Sequence, residues 1–270
     1  GALLQSTGCP MNKRWNYYLN PYSQVALANE QRSLGVNPEV ERATEQALVS
    51  RNFAGFDVYT ATTLASYTTG SGATRAGTVA VTPNVTYAAA KDTMTQQIAV
   101  TGFQANLAIS AGETIEITGR NRLNLATRTQ ATRADGTPVL FTGTVVSDVT
   151  LDGSGDGTIT ITGPAIFEAS GGYNTTATAV TSGDVVTLGG SADSLIAPNM
   201  FWHPDAFTIA YVDMKKLQAT DTIYRSTDGL VMRCSKDSSI RANKQIVRFD
   251  LRPAYGTTNP FLAGQSHGNP

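Results

Sequence analysis

Glu113-Thr114-Ile115-Glu116-Ile117-Thr118 and Thr158-Ile159-Thr160-Ile161-Thr162 are the stretches that decide the fold. Their alternation puts isoleucine on one face of each strand and hydroxyl or carboxylate on the other, so each has one buried and one wet face. Threonine favours the pleat through its β-branch and keeps the outer face hydrated. Both stretches lie in a Thr/Gly/Val-rich region, Thr60 to Ala192, whose single lysine is Lys91. Further strand candidates are 95–102, 139–148 and 185–188, separated by turn chemistry. The pattern predicts a self-contained antiparallel β-barrel, residues 60–192, with Ile98, Val100, Ile115, Ile117, Val145, Ile159 and Ile161 in its core.

The flanks read differently. Asn20-Pro21 has the form of an N-cap followed by a first helical position, and predicts a helix to about Gln31. The device recurs at Asn37-Pro38, where Glu39 and Glu41 complement the helix dipole and Val40, Ala43, Ala47 and Leu48 share a face; this helix is expected to end near Arg51. After Asp193, residues 200–202 and 207–212 read as one strand group and 246–251 as another, while Gly264 to Pro270 reads as a mobile tail. Each flank holds apolar residues too numerous to expose and too few for a separate core. The expected fold class is therefore α+β, with a discontinuous core domain (residues 1–59 and 193–270) interrupted by the barrel.

A chain of 270 residues, 41% of them hydrophobic, can bury a substantial core and divide into about two domains. Twenty basic residues against 21 acidic ones provide no general attraction to nucleic acid or an anionic membrane. With no apolar run near the roughly 20 residues of a membrane span and no signal-peptide pattern at Gly1-Ala2-Leu3-Leu4, a soluble chain is expected. Cys9 and Cys234 have no CxxC spacing, which fits a reducing cytoplasm rather than a disulfide framework or zinc site. No cofactor is implied.

Few residues suggest catalysis. His203 lies in Phe201-Trp202-His203-Pro204-Asp205 without a partner at a recognisable spacing, and GxSxG, HExxH, GxxxxGK[ST] and GxGxxG are all missing. Asp152-Gly153-Ser154-Gly155-Asp156-Gly157 resembles the start of a calcium loop, but its twelfth position is Gly163 instead of glutamate, and a hairpin turn is the better reading. The polar segment with most functional promise runs from Arg120 through Arg122 and Arg128 to Arg133 and Asp135. It reads either as a solvated loop between strands or as a protein contact, since arginine's fork pairs carboxylates at interfaces. No aromatic residues interleave the charge, which disfavours nucleic acid. A β-rich adhesin or carbohydrate-binding module is the alternative, but the barrel's aromatics, Tyr87, Phe103, Phe141, Phe167 and Tyr173, are few and read mostly as core. An enzyme would need a concave site gathering His203 or a carboxylate pair.

The order of segments resembles the major capsid proteins of Salmonella-type short-tailed phages, which have an HK-ninety-seven-like fold carrying an inserted β-barrel. Tyr17-Tyr18-Leu19-Asn20-Pro21, Pro38-Glu39 and Ala54-Gly55-Phe56-Asp57 are similar to the family's segments ahead of the insertion. Ala111-Gly112-Glu113-Thr114-Ile115 and Asp156-Gly157-Thr158 resemble strands within it, and Phe201-Trp202, Arg248-Phe249, Arg252-Pro253 and Gly264-Gln265 follow as in the family. Gly1 to Gly8 resembles only the end of the family's long spine helix, so an N-terminally truncated core is expected. The resemblance implies a non-catalytic coat subunit that tiles an icosahedral head with copies of itself as hexamers and pentamers. It further implies assembly in the host bacterial cytoplasm around a scaffolding protein and portal ring, with the finished shell in the virion. The Arg120 to Asp135 loop falls where the family has one long insertion-domain loop, whereas the counterpart of another, near Tyr87 to Asp92, is shortened.

Overall fold

The structure is a computed structural model that describes residues 2–26, 48–53, 55–239 and 241–267. Two compact units divide the chain: Gly1–Pro204 with Pro260–Pro270, and Asp205–Asn259.

A short helix, Ala2–Ser6, leads to β1 (Trp15–Leu19), β2 (Leu48–Phe53) and β3 (Phe56–Thr60). The short β4 (Tyr67–Thr68) comes before β5 (Ala76–Val79), and Tyr87–Ala90 forms one helical turn. Next are β6 (Thr95–Thr101), β7 (Ala108–Ile109), β8 (Thr114–Asn121), β9 (Leu140–Val145) and β10 (Val149–Thr150). They are followed by β11 (Gly157–Thr162), β12 (Val185–Leu188), β13 (Leu195–Ile196) and β14 (Asn199–Trp202). The smaller unit holds β15 (Phe207–Tyr211), β16 (Thr222–Arg225), β17 (Val231–Ser239), β18 (Lys244–Leu251) and β19 (Pro253–Thr257); β20 (Ala263–Ser266) returns to the larger unit.

Strands β11-β6-β5-β12-β8-β9 close into a six-stranded barrel. Register places Ile159 opposite Ile98, Val186 opposite Ile117, Leu188 opposite Ile115 and Ile161 opposite Val145, so the apolar rows meet inside. All seven core residues expected from the alternation are buried. One barrel strand, β5, is not visible in the pattern: Ala76-Gly77-Thr78-Val79 is too short and too small-sided, and only Val79 is buried. Gly77 is needed there, because a Cβ would lie 2.3 Å from the ring of Phe103, which helps fill the core.

The second element of this unit is a five-stranded sheet of order β2-β3-β1-β14-β20, with β1 and β3 parallel and the other pairs antiparallel. It draws strands from both sides of the barrel. Trp15 is fully buried, packed near edge-on against Phe56 and His203, with centroids at 6.4 and 5.4 Å, while on the opposite face Tyr18 stacks on Trp202 at 4.6 Å. Asn20 caps the turn after β1: its Oδ1 accepts from the Tyr22 amide at 3.1 Å, and residues 21–26 are helical.

Four expectations are corrected. The helix proposed from Asn37-Pro38 to Arg51 lies largely outside the described residues, and its final part is strand β2; Leu-Val-Ser-Arg-Asn-Phe suits an edge strand, and pairing with β3 overrides the helical period. The tail is not free, since Ala263–Ser266 pairs with β14, and Gly264 lets the Phe201 ring approach to where a Cβ would stand 2.5 Å away. Residues 200–202 and 207–212 do not form one strand group: β14 joins the five-stranded sheet, whereas β15 pairs with β19 in the smaller unit. In place of an α+β balance, the described residues are mostly sheet with few helices.

Within the smaller unit, β16-β17-β18 form a sheet and β15-β19 a ribbon, and Phe207, Ile209, Phe249 and Tyr255 are exposed.

The barrel core sets a test. Ile159→Ala removes a fully buried side chain and should cost about 2–5 kcal/mol in urea unfolding. Thr158→Ala, on the exposed face, should change stability by no more than about 0.5 kcal/mol. Equal effects would contradict the assigned inward row.

Candidate functional site

The connection between β8 and β9 is built as nested turns. Isolated bridges pair Leu123 with Gln130 and Thr132 with Pro138, and Arg128 takes a φ of 59° at the turn of the first. Asn124 Oδ1 accepts from the amides of Ala126 and Thr127 at 2.9 and 3.0 Å, while its Nδ2 donates to the Ser6 carbonyl at 3.0 Å. Side-chain bonds of this kind give loop backbone the partners it would otherwise take from water.

Within this frame the five singled-out residues separate. Arg120 Nε donates to Asp184 Oδ2 at 2.6 Å and Nη2 to Oδ1 at 2.5 Å, with further bonds to the hydroxyls of Thr178 and Thr181 at 3.0 Å. This is a bidentate pair that ties β8 to the turn before β12. Arg122 is directed inward over the Phe261 ring, 5.3 Å from its centroid. Arg128 Nη1 donates to the Asn174 carbonyl at 2.9 Å, with the guanidinium 6.0 Å from the Tyr173 centroid. Arg133 and Asp135 are exposed at the tip. Asp135 Oδ1 accepts from the Thr137 hydroxyl and amide at 2.6 and 3.0 Å, and these bonds hold its carboxyl below the usual range. The structure therefore does not gather the four arginines into one surface patch; two of them hold their own subunit together.

The strongest polar feature escaped sequence reading. Glu113 shares parity with Ile115 and Ile117 and so faces inward, with no exposed surface. Arg75 Nη2 pairs with Glu113 Oε2, Arg75 Nη1 donates to the Gly70 carbonyl at 2.9 Å, and Glu113 Oε1 accepts from Gly70 and Ser110 amides at 3.2 and 3.0 Å. Thr69 Oγ1 donates to the Ser191 carbonyl at 2.5 Å, so the chain segments entering and leaving the barrel are fastened together. The only sequence signal was the parity of Glu113; nothing marked its partner 38 positions away.

Other candidates resolve into structure. Asp152 Oδ1 accepts from the Ser154 and Asp156 amides at 2.8 and 2.9 Å, making its loop a tight turn; it is not the hairpin expected from the sequence, because β10 pairs with β7 while β11 pairs with β6 and β9. His203 is buried against Trp15. Phe103 and Phe141 are core, as read from sequence, but Phe167 and Tyr173 are exposed; Tyr173 stacks on Tyr87 at 4.2 Å. Among the described residues no group of three His, Cys, Asp or Glu is placed to hold a metal ion, and no helix is long and apolar enough to cross a membrane.

A threonine-faced closed barrel beside a strand-rich base, its arginines and acids committed largely to ion pairs and turns, is the framework of a β-rich structural module. The family model described as P22 coat protein, gene protein 5, matches residues 1–267, and the chain belongs to that family. The major capsid protein of Acyrthosiphon pisum secondary endosymbiont phage 1 is 32% identical over 256 residues, which cover 93% of this chain and 60% of that relative. The chain thus spans less than two thirds of the relative's length.

The Arg120–Asp184 pair makes a measurable claim. Burial pushes the Asp184 carboxyl up, but hydrogen bonds from Arg120 and Thr181 outweigh it and hold the group below its ordinary value. A lowered folded value means that the contribution is complete above the unfolded carboxylate range and is lost as pH falls through the folded value. Arg120→Ala should therefore cost about 1–3 kcal/mol at neutral pH. Its deficit relative to the parent should shrink on acidification below about pH 4; a deficit independent of pH would refute the pairing.

Proposed function

We propose that this chain is part of a coat subunit that assembles with copies of itself into the icosahedral head of a tailed phage, as hexamers and pentamers. The family match along almost the whole chain carries this reading, and the homologous major capsid protein supports it. In this reading, residues 1–59 and 193–270 contribute an HK-ninety-seven-like core, and residues 60–192 are an inserted barrel domain. The five-stranded sheet, assembled from both sides of the barrel, favours an insertion whose ends lie close together. The role is structural rather than catalytic. Scaffolding protein and portal ring are the partners during assembly in the host cytoplasm, and the finished shell is the site of action in the virion.

Contacts between neighbouring subunits are assigned to the β8–β9 loop, chiefly to its tip at Arg133 and Asp135. Arg120 and Arg128 hold the loop's base in shape, Arg122 is turned inward over Phe261, and Arg133 is exposed. An exposed arginine gains little within its own subunit but gains charge-assisted hydrogen bonds when a neighbour's carboxylate arrives and water is excluded.

Two measurements test this. Residues 60–192 expressed alone should show a cooperative unfolding transition; a featureless melt would count against an independent inserted domain. In a coat polypeptide of its relatives' full length, Arg133→Glu should leave subunit stability within about 0.5 kcal/mol while reducing particle yield. Normal shells with the parent's salt sensitivity would sink the contact assignment.

A further inference from the structure

A cavity of about 260 Å³ lies between the barrel wall and the segment around β20, and Arg122 lines it. Its neighbours there include Leu4, Thr114, Arg133, Thr142 and Phe261. Arg122 Nε is buried without a hydrogen-bond partner. Neither Arg122 nor Arg133 forms an ion pair among the described residues, although Glu116 lines the same cavity. Burial pulls the Arg122 guanidinium below its ordinary value. Desolvating a guanidinium without a counter-charge is costly, and the Phe261 ring at 5.3 Å offsets only part of that cost.

We propose that this cavity is a binding site for a short-chain carboxylic acid, with Arg122 as the anchoring cation. The guanidinium is planar and matches a carboxylate in shape and charge, and the part of it that lines the cavity carries no ion pair among the described residues. Arg133 adds a second positive charge, and the hydroxyls of Thr114 and Thr142 offer further donors. Leu4 and Phe261 form an apolar wall against which a few methylenes can lie. The volume of about 260 Å³ admits a small acid. An acid bound here would touch both the barrel wall and the β20 segment, fixing them against each other.

Glutarate serves as the probe, glutaramide as its neutral counterpart and inorganic phosphate as the oxyanion without a carbon chain. Titrating the whole chain with glutarate should shift the Arg122 Nε–H nuclear magnetic resonance signal saturably and raise the unfolding midpoint, whereas glutaramide and phosphate should bind at least 10-fold more weakly. Arg122→Met should unfold no earlier than the parent, since it removes a desolvated charge, and should lose the glutarate response. Arg122→Lys keeps the charge without the fork and should weaken binding about 10-fold, providing a second variant should the methionine change disturb folding. The wild-type resonance requires no substitution at all. Absence of saturation by glutarate, an equal response to glutaramide or phosphate, or an undiminished response in Arg122→Met would each overturn the proposal.

Discussion

Closure of the barrel through β5 is the constraint on which the larger unit depends. This strand pairs with β6 on one side and β12 on the other, joining rungs near the two ends of the barrel sequence. Once the sheet closes, every inward position is removed from water, and the isoleucine rows of β6, β8 and β11 become one core. The same closure forces Glu113 inside at the head of its row. A carboxylate without solvent needs a cation and amide donors, which explains why Arg75, Gly70 and Ser110 converge on it. Removing one partner of such a pair costs about 3–5 kcal/mol because the other charge remains buried.

The legible parts of the fold were those in which a strand carries its own period. Ile115 with Ile117 and Ile159 with Ile161 announce strand, face and core together, and the Asn20-Pro21 cap announces the turn after β1. What escaped reading was set by partners distant in sequence. β5 is a strand because β6 and β12 offer it hydrogen bonds, not because Ala76-Gly77-Thr78-Val79 favours extension. Likewise, Ala263–Ser266 has no apolar anchor of its own and is ordered by the ladder of β14. In the smaller unit, β17 escaped notice because Lys236-Asp237-Ser238-Ser239 interrupts the apolar alternation, while its register with β18 continues to Ser239.

The loop between β8 and β9 shows the same division. Its concentration of arginine was readable, but their assignments were not, because Asp184, Phe261 and Asn174 come from elsewhere in the chain. A row of like charges in sequence became one ion pair, one inward cation, one carbonyl clasp and one exposed tip. Composition locates chemistry along a chain; only the closed fold decides which charges remain available.

The fastening of the barrel's two ends, through Thr69, Arg75, Glu113 and Gly189, bears on how this molecule can diversify. A wall that closes on itself and is tied at its base does not rely on the length of its surface connections. Doubling a flexible loop costs only about 0.6 kcal/mol in closure entropy, well below the stake in the core. The exposed tip at 133–137 can therefore lengthen or change charge while the inward rows remain in register. The barrel separates the part of the sequence that must be kept from the part that is free to vary, so lineages sharing this wall can present different outer surfaces.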